Sequence, residues 1–117
     1  MTSYQLPNYL RANRKRLALS QDEVAFLLGT QSGAKVCRNE RFVREPSLAT
    51  AFAYEVIYQR PASQLFGGLY QRIEQEVAAR AKTLTCRCED EKPNPQTIHK
   101  RETLATIAAK QPSNSLN

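Results

Sequence analysis

Tryptophan is missing altogether, histidine occurs once, cysteine three times and glycine four times in 117 residues. Each scarcity narrows the chemistry open to the chain. One histidine, His99, beside one Cys-x-Cys pair, Cys86 and Cys88, does not provide the ligand spacing of a structural zinc site. No metal and no cofactor are therefore expected. Cys37, Cys86 and Cys88 are odd in number, which favours free thiols over a disulfide framework. There is no glycine-rich phosphate loop, no pair of acids at a shared site and no Ser/His/Asp set, so an enzyme is poorly supported. No run of about 18 apolar residues is present, which argues against a membrane span. The opening "MTSYQLPNYLRANRKR" lacks the apolar region of a signal peptide, and a cytoplasmic location is the expectation. Acids are also short: 11 Asp and Glu face 17 Lys and Arg, for a net charge of +6. That balance suits a polyanion-binding domain without being peculiar to one.

What is there centres on Leu19 to Arg41, "LSQDEVAFLLGTQSGAKVCRNER". Ser20 followed by Glu23 is a capping box, in which the serine oxygen accepts a free N–H and the glutamate reaches back. Val24, Leu27 and Leu28 fall on one side at helical spacing, with Asp22 and Glu23 in the first turn where the dipole favours acids. Gly29 stands where a left-handed residue usually ends a helix. Ser32 can cap a second helix from Gly33 to about Arg41. That helix carries Lys35, Arg38 and Arg41, and Val36 is its one large apolar residue, so it reads as presented rather than hidden.

These residues, with the later "EPSLATAFAYE", resemble the helix-turn-helix family typified by phage repressors and Cro, the Xre family. The likeness rests on Ser-Gln at the start of helix two, the Leu-Gly turn, Glu40 closing the recognition helix, and Pro46, Ser47 and Leu48 opening helix four. It spans about residues 6–66. It departs in two places: the turn between Gly29 and Val36 is one residue longer than usual, and Asn39 takes a position normally apolar. The resemblance implies an all-α, five-helix repressor-like domain with a C-terminal helical extension, in a bacterium or phage. It also implies that Gln21 touches the sugar–phosphate backbone and that Arg14 pairs with Glu40, fixing orientation more than adding stability.

Along the chain, a first helix is expected from near Pro7 to Leu17, with Tyr9, Leu10 and Leu17 inward and Arg11, Arg14, Lys15 and Arg16 on the rest. Ser47 caps a fourth helix with Leu48, Ala51, Phe52 and Val56 inward, Tyr54 and Tyr58 toward the flanks, and Glu55 at an edge. "PASQLF" reads as a short fifth helix with Leu65 and Phe66 in the core, and Gly67-Gly68 as an interruption. Residues 67–84 are expected to form a C-terminal helix whose stripe Leu69, Ile73, Val77, Ala81 and Leu84 either packs back, for instance on Phe26, or meets a second copy. Residues 85–117 comprise a linker, a weak helix with Ile98, Leu104, Ile107 and Ala108, and a disordered tail.

The leading expectation is a sequence-specific DNA-binding regulator acting on double-stranded DNA. Its candidate contacts are Gln21, Ser32, Gly33, Ala34, Lys35, Arg38 and Arg41. Arginine suits a bidentate contact to guanine, and small Gly33 and Ala34 would let backbone N–H groups approach a phosphate. The alternative is an antitoxin or protein-interaction subunit that holds a partner such as a toxin through the C-terminal helices.

Overall fold

In the computed structural model, which describes residues 6–109, α-helices two, four and seven in chain order start where a side chain takes up a free N–H group. Among the described residues there are seven helices and no strand: α1 (Leu10–Arg16), α2 (Gln21–Leu28), α3 (Ala34–Glu40), α4 (Leu48–Tyr58), α5 (Ala62–Leu65), α6 (Gly67–Arg87) and α7 (Pro95–Ala108). The protein is all-α.

Ser20 caps α2 with its hydroxyl accepting from the Glu23 N–H at 3.0 Å, while the Glu23 carboxylate accepts from the Ser20 N–H at 2.8 Å. Gly29 ends the helix in the left-handed region at φ +81°. Ser47 caps α4 by accepting from the Thr50 N–H, and Asn94 caps α7 with Pro95 as its first residue. The disordered tail expected from residue 111 onward lies outside the described residues.

Two compact units divide the chain, one up to Tyr70 and one from Gln71. The first is built around Leu10, Val24, Val36, Tyr54, Tyr58, Leu65 and Phe66. Tyr54 and Tyr58 stack with ring centroids 5.7 Å apart, and Phe66 meets Tyr54 edge-on at 6.4 Å. The segment before α1 is tied down by Tyr9 N–H to the Leu65 carbonyl and by Gly68 N–H to the Leu6 carbonyl. In the second unit Ala81, Cys88 and Leu104 are buried, and Lys100 pairs with Glu91 at 2.7 Å.

Several expectations are corrected. α1 begins at Leu10 rather than Pro7, and Leu17 is partly exposed beyond its end. Leu27 faces outward, and Ala25 takes its place in the core beside Val24. The largest change is in α4, where the two tyrosines fill the core and Leu48, Phe52 and Val56 face outward. This helix is apolar on every side, so its hydrophobic pattern has no single phase. The tyrosine rings win the interior because they bury the most area and because Tyr54 finds a polar partner there. Glu55 is exposed at the edge, with its carboxylate accepting from the Ala62 N–H at the start of α5. Gly67-Gly68 opens α6 instead of interrupting it, and α6 runs on to Arg87 inside the expected linker. The first-turn Gly68 N–H donates outside the helix, to the Leu6 carbonyl at 2.8 Å. Along α6, Ile73, Val77 and Leu84 are all nearly half exposed, and Phe26 on α2 is 81% exposed.

Candidate nucleic-acid interface

The candidate residues lie on α1, α2 and α3, around a buried cluster of polar side chains. Arg14 and Glu40 form a bidentate pair, Nε to Oε2 at 2.6 Å and Nη2 to Oε1 at 3.2 Å, with both side chains more than nine-tenths buried. Arg14 Nη1 also donates to the Leu19 carbonyl at 3.1 Å, and Gln21 Nε2 donates to Glu40 Oε1 at 3.2 Å. Hydrogen bonding to Glu40 holds the Arg14 pKa above its ordinary value, against the opposing effect of burial. The end of α3 is thus bonded to α1 and to the first residue of α2. Gln21 spends its amide inside this cluster, a use other than the backbone contact the resemblance implies.

A second polar junction holds the middle of α3. Asn39 is 2% exposed, and its Oδ1 accepts from the Tyr54 hydroxyl at 2.8 Å while its Nδ2 donates to the Arg44 carbonyl at 3.3 Å. Asn8 Nδ2 donates to the Asn39 carbonyl at 3.0 Å, and Asn8 Oδ1 accepts from the Leu10 N–H at 3.0 Å. The asparagine at a normally apolar position therefore belongs with a tyrosine that brings it a hydroxyl. Burial raises the pKa of both Tyr54 and Tyr58, and the Tyr58 hydroxyl is buried with no hydrogen-bond partner among the described residues.

The start of α3 differs from expectation. The helix begins at Ala34 with Gly33 as its cap residue, and the exposed Ser32 contributes only a long 3.4 Å bond to the Ala34 N–H. The Gly33 N–H is taken by the Asp22 carboxylate at 2.9 Å. A Cβ at Gly33 would meet Asp22 Oδ1 at 2.7 Å and the Gln21 backbone carbon at 3.1 Å. Lack of bulk at Gly33 therefore serves the approach of α3 to α2, and its N–H is not open to a phosphate.

With Val36 and Asn39 inward, α3 turns Ala34, Arg38 and Arg41 outward, and Lys35 lies half-buried on the flank. Among the described residues none of Lys35, Arg38 and Arg41 makes a hydrogen bond or ion pair through its side chain. Arg11, Lys15 and Arg41 line one shallow cleft between α1 and the end of α3; Arg11 and Lys15 also border a second, beside Ser20 and Gln21.

No family model, curated protein or solved structure matches this chain. Among the described residues no group of three or more His, Cys, Asp or Glu is arranged to hold a metal ion, and no helix is long and apolar enough to cross a membrane. Asp22, Asn8 and Tyr54 are the functional supports that sequence reasoning missed. A polar residue at a core position, Asn39, was the available signal that a polar partner had to exist.

Proposed function

We propose that the first unit is a repressor-like helix-turn-helix domain, and that the protein is a cytoplasmic, non-enzymatic regulator that binds double-stranded DNA through α3. The observation that carries this reading is the contrast between the two sides of α3. Its inner side is fixed by Glu40 and Asn39 to α1, α2 and α4, while its outer side offers Arg38 and Arg41, exposed and without a side-chain partner among the described residues. A helix entering a major groove needs cations and donors held in a fixed orientation, so that a bidentate contact to guanine is not loosened by the helix's own motion. Arg38 is the base-reading candidate, with Lys35 beside it; Arg11, Lys15 and Arg41 are phosphate partners. Ser32 and Ala34 border the same edge. Gln21, Gly33 and Asp22 support it from behind.

A comparison of two variants tests this. Arg38→Ala is expected to lower affinity for a preferred duplex by about 1–3 kcal/mol and to blur sequence preference. Lys15→Ala is expected to weaken binding to all duplexes alike and to flatten the salt slope by about one unit. An unchanged specific-to-random ratio in Arg38→Ala contradicts the reading of this face. The second reading, an antitoxin or other protein-binding subunit, draws on the half-exposed Ile73, Val77 and Leu84 of α6.

A further inference from the structure

We propose that the outward face of α4 is a two-fold interface with a second copy of this chain, the two α4 helices running antiparallel. Of the eleven residues of α4 only Glu55 is charged, and a helix apolar all round is the pattern of one covered on both sides. One side is covered by the domain's own core. On the other, Leu48, Phe52 and Val56 are 71%, 54% and 69% exposed. They recur every four residues, with the aromatic ring in the centre and an aliphatic side chain one turn away on each side. An isologous contact requires a surface that complements itself. Laid antiparallel, this stripe sets Phe52 on its own copy and Leu48 on the second copy's Val56.

Charge selects the same arrangement. Glu45 lies just before α4 and Arg60 just after it, at similar distances in sequence from Phe52. Among the described residues Glu45 has no ion pair, and Arg60 donates only to the neighbouring Gln59 carbonyl at 3.2 Å. Antiparallel helices bring each Glu45 beside the second copy's Arg60, while parallel ones would set like against like. The Glu55 carboxylate, which could oppose closure, is already occupied by the Ala62 N–H at 2.9 Å. The apolar stripe is only three side chains long, so association in the range of about 1–100 μM is expected. This interface does not rest on the DNA-binding reading, and its test needs no DNA.

Sedimentation equilibrium of the full chain, without nucleic acid, provides the test. The wild type is expected to pass from monomer to dimer over that range. Phe52→Glu is expected to raise the dissociation constant at least about a hundredfold, with an unchanged melt because the side chain is more than half exposed. Glu45→Lys and Arg60→Glu are each expected to weaken self-association about tenfold. An equimolar mixture of these two variants is expected to associate again, because both contacts between positions 45 and 60 in the mixed dimer join opposite charges. The proposal is overturned by a wild type that stays monomeric at about 100 μM. It is equally overturned if Phe52→Glu still dimerises, or if the mixture binds no more tightly than either variant alone.

Discussion

Replacing Tyr54 by phenylalanine removes one oxygen and leaves the ring stacking intact, which makes it a clean probe of how α3 is held. The hydroxyl donates to Asn39 Oδ1 at 2.8 Å, and the acceptor is on a side chain only 2% exposed. Without it that oxygen is buried with no donor, so the cost is the desolvation of an unsatisfied acceptor, about 1–3 kcal/mol. For a domain of this size, about 2 kcal/mol corresponds to a fall of roughly 10 °C in Tm. Tyr58→Phe is the matched control: the ring is equally buried, but the hydroxyl it loses has no partner among the described residues. Its expected effect is near zero or slightly stabilising. Adding Asn39→Leu to Tyr54→Phe removes acceptor and donor together, and the double variant is expected to lose less than the two single losses combined. With no tryptophan in the chain, thermal melts followed by far-ultraviolet circular dichroism are the suitable assay. Equal melting shifts for Tyr54→Phe and Tyr58→Phe would refute this account of Asn39.

Glu40→Ala strands the buried Arg14 guanidinium and the Gln21 amide, and is expected to cost about 3–5 kcal/mol in a urea melt, far more than any surface charge. Gly33→Ala presses a methyl group against Asp22 and the Gln21 backbone, and a loss of about 1–3 kcal/mol is expected by the same assay. Alkaline titration tests the two tyrosines. Both have pKa values raised by burial, so above pH 10 the unfolded chain gives up protons that the folded chain keeps. Their contribution is thus complete below about pH 10 and falls above it by up to roughly 1.4 kcal/mol per pH unit for each group, and Tyr58→Phe should make the fall shallower.

How much of this was legible in the sequence varies with the kind of signal. Local chemistry was readable: the Ser20–Glu23 box, the turn at Gly29, the Ser47 cap and the short fifth helix depend on neighbours a few residues apart. The Arg14–Glu40 pair was readable only because a family resemblance supplied the spacing; nothing local joins residues 26 apart. The facing of α4 was not readable, since Leu48, Phe52 and Val56 make as good an inner stripe as Ala51, Tyr54 and Tyr58 by hydrophobicity alone. What decides is Asn39, which needs a donor that only Tyr54 brings. The left-handed residues Ala18, Phe42 and Gln59 were likewise unmarked, because their φ values of 55–61° occur without glycine. At Gly33 the residue type was noticed and its role misjudged: the close neighbour is Asp22, not an approaching phosphate.

The central claim is that α3 presents a DNA-reading face. Selection of bound duplexes from a random-sequence pool by the full chain, followed by sequencing, tests it most directly. The account predicts enrichment of one short motif containing a guanine, and loss of preference at that guanine when the selection is repeated with Arg38→Ala. A pool that emerges without any preferred sequence, or no retention of duplex even at low salt, would contradict it.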